Sequence, residues 1–471
     1  MNTPVPVFAI IGHPNEGKSS VLSTLAEDDS VRVSPTPGET TEVQHFPVII
    51  DEQEIIRFVD TPGFQNPRQT LDWMQTYDGP SEQLLSTFIA THNNDPDFHD
   101  ECSLLTPIAE GAGVIFVVDG SRPVRNTDKT EMEILRLTGA PRLAVINSKE
   151  DDSSYLDIWH SEFRKHFNAI RIFNSFRANY VQRIELLESL KSIDQRLEPV
   201  LKKVITTFES DWRARNQRTA DLIVDLLRTV LDYRTTATCK ERDDETRVKQ
   251  KLVQNYMDDV SRREDQTRKA IRTLYKHNIF DLEVPPHSIL QEDLFSDRTW
   301  EFLGLTDRQL VVAGAISGAA VGAGVDLAAG GVSFGVFSAL GGFLGAAGTL
   351  FKGKDLLDGF KLLGFKVGGE SIQVGPAVNI QLLFILIDRC LIFTSHVINW
   401  AHGRRDYDRK SLLKEQDGDK KGYTSHWNSD DRKVCSQFFH ALQKQDSEAL
   451  EKTSSQLNEV IVRQLRRMSE E

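Results

Sequence analysis

The run Gly12-His13-Pro14-Asn15-Glu16-Gly17-Lys18-Ser19 constrains this chain more than any other feature. It fits the phosphate-loop pattern G-x-x-x-x-G-K-[ST], in which backbone N–H groups wrap phosphates, the lysine reaches the β and γ phosphates and the hydroxyl ligates Mg²⁺. An apolar strand over residues 5–11 precedes it and a helix-like stretch over 20–26 follows, so the helix N-terminus adds its positive dipole end. A glycine-rich turn is the plain alternative, but such a turn needs neither flank. The loop predicts nucleoside-triphosphate binding by Asn15, Glu16, Gly17, Lys18, Ser19 and Ser20.

Three further segments narrow the class. A strand-like stretch, 54–59, runs into Asp60-Thr61-Pro62-Gly63, where a carboxylate at a strand end can hold the metal. Gly63 lets its N–H approach the γ-phosphate without a Cβ in the way. Between the motifs, Pro37-Gly38-Glu39-Thr40-Thr41 is a turn-rich segment where a threonine can close over the metal. A third strand-like stretch, 114–118, ends in Asp119-Gly120 and continues the pattern of a parallel sheet. In this order the segments point to a switch GTPase rather than a kinase or a motor, with Lys18, Thr40 and Gly63 as the candidate catalytic groups.

Gly-His-Pro-Asn-Glu-Gly-Lys-Ser, Pro-Gly-Glu-Thr and Asp-Thr-Pro-Gly together resemble the Era, TrmE and Der (EngA) group of bacterial GTPases, from the N-terminus to about Tyr180. The resemblance implies that Ser19 and Thr40 ligate Mg²⁺, that Asp60 holds the ion at one remove, and that the Gly63 N–H senses the γ-phosphate. It also implies that Asn15 can help hold K⁺ against the phosphates; an asparagine that merely suits the turn is the other reading. Phe64 stands where Ras-type enzymes carry the glutamine that orients the attacking water. Slow hydrolysis by the isolated protein, and faster turnover with K⁺, dimerisation or a partner, is the expectation. Gln65 is one position too late to be the first choice for that role.

Guanine is read in such proteins by an Asn/Thr-Lys-x-Asp run after a strand. Here the strand-like stretch 142–146 leads into Asn147-Ser148-Lys149-Glu150-Asp151. The register Ser148 to Asp151 keeps Lys149 along the base plane and Asp151 as its acceptor; the register Asn147 to Glu150 loses both. A polar loop is the third reading. Ser175 is a further candidate for the base edge.

The formal charge of −13 argues against a general affinity for nucleic acid, and no basic stripe with interleaved aromatics appears. Cys102, Cys239, Cys390 and Cys435 are far apart and have no metal-ligand spacing. They read as reduced residues of a cytoplasmic protein, and the first strand starts too early to leave room for a signal peptide. His92, Asp95, Asp97, His99 and Cys102 invite a metal hypothesis, but their spacing fits no familiar site. The insertion 65–110 reads instead as a mobile second switch and a partner surface.

Beyond residue 180 the period becomes helical. Ile193, Leu197, Val200, Val204, Phe208 and Trp212 recur three or four apart, with Pro199 kinking that helix or starting a new one. Leu222, Ile223, Leu226, Leu227, Val230 and Leu231 repeat the spacing, and the charged stretch 240–269 reads as a solvated helix or coil. Over 310–351 the only charge is Asp326, and glycines recur every fourth residue at 314, 318 and 322. Small-residue faces of this kind suit either a hairpin entering a membrane from the cytoplasmic side or a close-packed hairpin inside a soluble protein. A second apolar stretch, 380–398, carries Asp388 and Arg389, which in lipid would cost about 2.5–3.5 kcal/mol each. It reads as a buried helix whose two charges find partners, with the glycine faces as one candidate. The polar stretch 402–431 reads as a tether before a closing helix bearing Leu450, Leu457, Val460 and Leu465.

The expected architecture is α/β in the first 180 residues, a P-loop GTPase domain with a mostly parallel sheet. A largely α-helical part follows (181–305 and 353–471) around a Gly/Ala-rich apolar hairpin (306–352). The plan resembles dynamin-like membrane GTPases, and the C-terminal half resembles an uncharacterised family of bacterial GTPases whose genes often neighbour one for a membrane protein. Three readings are open: a membrane-associated switch peripheral to or anchored at the inner membrane, a GTPase-gated pore-forming or toxin-like module, and a soluble assembly factor with a buried hairpin. GTP and GDP are the expected ligands, Mg²⁺ and K⁺ the expected cofactors, and a membrane, a membrane protein or a second copy docked through the GTPase domain the expected partners.

Overall fold

The computed structural model describes residues 5–13, 16–26, 43–148, 154–174, 180–238, 245–275, 288–306, 309–310, 365–368, 371–398 and 421–470. The first part is a six-stranded sheet in the order β2-β3-β1-β4-β5-β6. Its strands are β1 (Val7–Ile11), β2 (Gln44–Ile50), β3 (Gln53–Asp60), β4 (Gly113–Asp119), β5 (Arg142–Asn147) and β6 (Ala169–Phe173). Only β2 runs antiparallel, against β3 at one edge. Side chains alternate between the two faces, as a pleated strand requires. Phe8 and Ile10, Ile115 and Val117, and Leu143 and Val145 enter one core. Ala9 and Ile11, Val114, Phe116 and Val118, and Ala144 and Ile146 enter the other. Strands buried on both faces explain the near-continuous apolar runs in the sequence.

The first core is closed by α1 (Lys18–Ala26), α7 (Tyr180–Ile193) and the start of α8 (Glu198–Leu231). The second is closed by α2 (Pro67–Thr76), α3 (Leu84–His92), α4 (His99–Ala109), α5 (Asn126–Leu137) and α6 (Leu156–Phe163). The insertion 65–110 contains three α-helices, with Met74, Leu85, Phe88, Leu104 and Leu105 in the core. Its apolar residues are spaced for helices and were hidden behind a polar composition.

Pro199 starts a helix instead of kinking one: it lies in the first turn of α8, where its missing N–H costs nothing. This 34-residue helix serves two cores. Leu201, Val204, Ile205 and Phe208 pack on the sheet. Trp212, Ile223, Leu227 and Leu231 pack in the helical part. The polar stretch between them is part of the same helix, with Arg215 and Asn216 buried and Asn216 Oδ1 accepting from Tyr275 Oη at 2.9 Å.

The helical part adds β7 (Thr235–Thr238), α9 (Glu245–Leu274), α10 (Asp297–Phe302), β8 (Phe365–Gly368), β9 (Ser371–Val374), α11 (Gln381–Ile398), α12 (Ser429–Lys444) and α13 (Ser447–Glu470). The short strands form a sheet in the order β7-β9-β8. The charged stretch expected to be solvated is mostly α9, and it buries Leu252, Val253, Tyr256, Val260 and Ile271. A narrow apolar stripe amid charges was enough. Leu457, Val460 and Leu465 pack as expected for the closing helix, with Leu450 at its margin.

Among the described residues α11 is the one helix long and apolar enough to cross a membrane, and it is the centre of this core. Its two charges are satisfied separately. Asp388 accepts from the Gly304 N–H (2.9 Å), the Thr424 N–H (2.8 Å) and the Thr424 hydroxyl (2.9 Å). Arg389 Nε donates to Glu264 Oε1 (2.7 Å), and its Nη1 to the carbonyls of Ile289 and Glu292. The partners therefore come from α9 and from three further segments, at 289–292, Gly304 and Thr424. The glycine-rich run lies outside the described residues, apart from its first member Leu310, and so does most of the tether.

Candidate phosphate-loop site

The loop after β1 turns on two glycines whose backbones an L side chain rarely adopts, Gly12 at φ +150° and Gly17 at φ +94°. A Cβ on Gly12 would also run into the Val117 carbonyl of β4. These two residues bring the chain back over the sheet so that α1 opens on Lys18. The Lys18 ammonium is buried and donates to the carbonyls of Gly12 (2.7 Å) and His13 (3.1 Å). Burial pushes its pKa down, while Asp60, Glu131 and Glu16 pull it back up.

Asp60 ends β3 directly across from Ile10 of β1, buried beneath the loop. Thr61 locks that register by donating its hydroxyl to the Ile10 carbonyl (2.9 Å). Ser19 follows Lys18 on α1, half-buried, and Ser20 is buried beside it. Ser19 and Asp60 offer hard oxygen donors of the kind magnesium takes, so the residues present fit that ion. Gly63 is buried after the same strand, and Phe64 is packed in the second core at 4% exposure. The turn that follows is held by Glu101 of α4, whose Oε1 accepts from the N–H groups of Gln65 (2.8 Å) and Asn66 (2.5 Å). Glu101 thus does at the start of α2 what an N-cap does, from another helix.

Polar residues outside the phosphate loop and the Asp60 motif complete the site. Asn147, at the end of β5 and fully buried, donates Nδ2 to the Glu16 carbonyl (3.1 Å). Arg122 donates Nε to Glu16 Oε1 (2.6 Å) and its Nη groups to both oxygens of Asp128 (2.8 and 2.9 Å). Glu16 Oε2 accepts from the Asp119 N–H. Glu131 of α5 is fully buried, and His13 Nε2 lies 3.0 Å from its Oε1. An acidic residue inside a phosphate loop was the sequence signal that a cation had to be near.

The other candidates fare unevenly. Asn15, Thr40, Lys149, Asp151 and Ser175 lie outside the described residues. His92 packs edge-on and tilted among Trp73, Phe88 and Phe98, with Asp95 3.6 Å away, as part of an aromatic cluster. Among the described residues, the donors close enough together for a metal ion are those of His13, Asp128 and Glu131. Both Asp128 oxygens are already taken by Arg122.

The hydrogen bond to Glu131 raises the His13 pKa above its ordinary 6.5, outweighing burial, with Asp128 and Glu16 adding to the effect. Burial raises the Glu131 carboxyl in turn. The stabilisation from a raised histidine is whole below 6.5 and is lost as pH rises through the folded value. Thermal unfolding of the wild type should therefore lose stability above 6.5 more steeply than a His13→Gln variant. Parallel pH profiles of the two proteins would remove this pair as the cause.

Two family models match the chain. One, described as "50S ribosome-binding GTPase", matches residues 7–148. The other, described as "Domain of unknown function (DUF3482)", matches residues 162–467. Among curated proteins, the chain is 28% identical to GTPase Der of Nostoc punctiforme over 148 residues, covering 31% of this chain and 26% of Der. It is 27% identical to GTPase Era of Ureaplasma parvum over 132 residues, covering 27% of this chain and 44% of Era. It is 24% identical to the probable GTP-binding protein EngB of Burkholderia cenocepacia, covering 41% of this chain and 88% of EngB. The chain thus spans less than half the length of the Der and Era relatives. Among solved structures, Era in complex with MgGDPNP and 16S ribosomal RNA nucleotides aligns at TM-score 0.30 and 22% identity, over 41% of this chain and 58% of that one. The S. thermophilus NFeoB bound to GDP·AlF4⁻ and K⁺ aligns at TM-score 0.24 and 15% identity, over 58% of this chain and 97% of that one. The first 148 residues hold a P-loop GTPase domain, and with the match over 162–467 the chain belongs to the DUF3482 family.

Proposed function

We propose that the chain is a GTP-binding and GTP-hydrolysing switch that contacts a membrane through its Gly/Ala-rich segment. The observation that carries the first half is the preorganised loop, with Lys18 already fixed on the carbonyls of Gly12 and His13 above the Asp60 carboxylate. Magnesium, held by Ser19 and Thr40 with Asp60 behind them, would draw charge from the β and γ phosphates. Lys18 and the loop N–H groups orient the phosphates, and the Gly63 N–H reads the last one. Phe64 is buried and apolar and cannot orient water, which supports slow unassisted hydrolysis. Asn15 is the candidate for K⁺ assistance. Lys149 and Asp151 are the candidates for reading guanine, with Asn147 tying that strand end to the loop.

The membrane half is supported by composition: 310–351 carries a single charge, Asp326. The continuous α8, packed on both the sheet and the helical core, supports transmission of the nucleotide state to that part. Because α11 has its charges satisfied inside protein, the glycine-rich run is the better candidate for lipid.

The test has two arms on the full chain. Hydrolysis of GTP should be slow in sodium, faster in potassium, and exceed hydrolysis of ATP. Fast turnover by a monomer without potassium would refute the assisted mechanism. In flotation with anionic liposomes, recovery only with a non-hydrolysable GTP analogue supports a nucleotide-gated switch, and recovery in every state a constitutive anchor. Vesicle leakage would favour the pore-forming reading, and no flotation in any state the soluble assembly factor.

A further inference from the structure

We propose that Arg122 is a positioning residue for the phosphate loop: it neutralises and clamps Glu16, and through Glu16 holds the loop backbone in its phosphate-receiving shape. The inference rests on reading this loop as the seat of the GTP phosphates. A carboxylate in such a loop is a liability, because it is buried beside the place where several negative charges must bind and little water is present to screen them. Glu16 is 4% exposed and cannot turn its charge to solvent.

The surroundings answer that liability. Arg122 meets Glu16 Oε1 at 2.6 Å and grips Asp128 with its other two nitrogens, so one guanidinium serves two carboxylates from two directions. A planar fork can do this and an ammonium cannot. Arg122 is in turn fixed. Its carbonyl accepts from Trp159 Nε1 (2.8 Å), its guanidinium lies 5.1 Å from the centre of the Trp159 ring, and Asp128 is also held by the Arg125 N–H (2.6 Å). Glu16 is then tied at three points: to α5 through Arg122, to the end of β4 through the Asp119 N–H, and to the end of β5 through Asn147. Gly17 and Lys18 follow directly, so the position of Glu16 sets the entry to α1.

The experiment is titration of a fluorescent GDP analogue with the full chain as wild type, Arg122→Met, Glu16→Gln and the double variant, with a melting temperature for each. Arg122→Met should weaken binding about tenfold or more, the scale of a lost charge-assisted hydrogen bond, and Glu16→Gln should weaken it less. The double variant should bind about threefold or more tighter than Arg122→Met alone, since the charge needing neutralisation has gone. A merely structural arginine would give no such rescue. Binding by Arg122→Met within about twofold of wild type, or a double variant no tighter than Arg122→Met, overturns the proposal. If Arg122→Met does not fold, Arg122→Lys carries the same test: weakened binding restored by Glu16→Gln supports the clamp, and unweakened binding overturns it. A folded wild type that binds no guanine nucleotide would instead sink the reading of the loop, and the inference with it.

Discussion

Asp388→Ala should destabilise the helical part by about 3–5 kcal/mol, the scale of leaving several buried donors without their acceptor at once. The residue is 0% exposed, and its carboxylate receives the Gly304 N–H, the Thr424 N–H and the Thr424 hydroxyl. Alanine leaves those donors buried without an acceptor, and each such orphan costs about 1–3 kcal/mol. It also opens space in the middle of the core formed by α8, α9, α11, α12 and α13. Asp388→Asn should cost less, because one acceptor oxygen remains while the new amide N–H₂ faces existing donors. Gly422→Ala attacks the same clamp from the other side, since its Cβ would collide with the pinned Asp388 carboxylate. With two cores in one chain, a single unfolding curve would mix their responses. Hydrogen exchange in α11 and in β4 separates them. The expected result is loss of protection in α11 with β4 and nucleotide binding little changed; a loss below about 1 kcal/mol would mean that the three donors find other acceptors.

That the apolar 380–398 stretch was a buried helix and not a membrane span could be read from two adjacent charges, because lipid offers them nothing. Where their partners lie could not. Glu264 is 125 residues away and Thr424 is 36 away, and no local pattern encodes either distance. The same division runs through the head. The strands around the phosphate loop and Asp60 were legible because motif and periodicity coincide there. β2 was missed: it is an edge strand with Pro47 inside it and polar residues at its start, so it has neither motif nor clean alternation. β7, β8 and β9 are four residues each; β8 and β9 are adjacent in the chain, but β7 reaches β9 across more than a hundred residues, so tertiary packing defines the sheet. In the site itself, Lys18, Ser19 and Asp60 follow from spacing alone. Arg122 was announced only indirectly, by the acid it serves, and Asp128 by nothing in its own neighbourhood. Glu101 was hidden because capping a helix from another helix leaves no signature at its own position.

Lys18→Met should lower GTP affinity and turnover by about 10²–10³-fold, the effect of removing one preorganised donor aimed at developing charge. Lysine has three N–H donors. Two are committed to the Gly12 and His13 carbonyls, and among the described residues the third has no protein acceptor. The ammonium is therefore placed before the nucleotide arrives, and the ordering cost of its long side chain falls on folding instead of on binding. Methionine keeps the stem's volume in the same buried slot but removes both tethers and the charge. Loss of the charge also leaves Asp60 and Glu131, two of the carboxylates that pull the Lys18 pKa upward, with less compensation beside incoming phosphates. Electrostatics and geometry thus fail together, which is why the expected loss exceeds that of Arg122→Met. The measurement is binding of a non-hydrolysable GTP analogue alongside hydrolysis, with circular dichroism to establish that the variant is folded. A folded Lys18→Met protein that keeps hydrolysis within about tenfold of wild type would mean that this loop is not where the triphosphate sits.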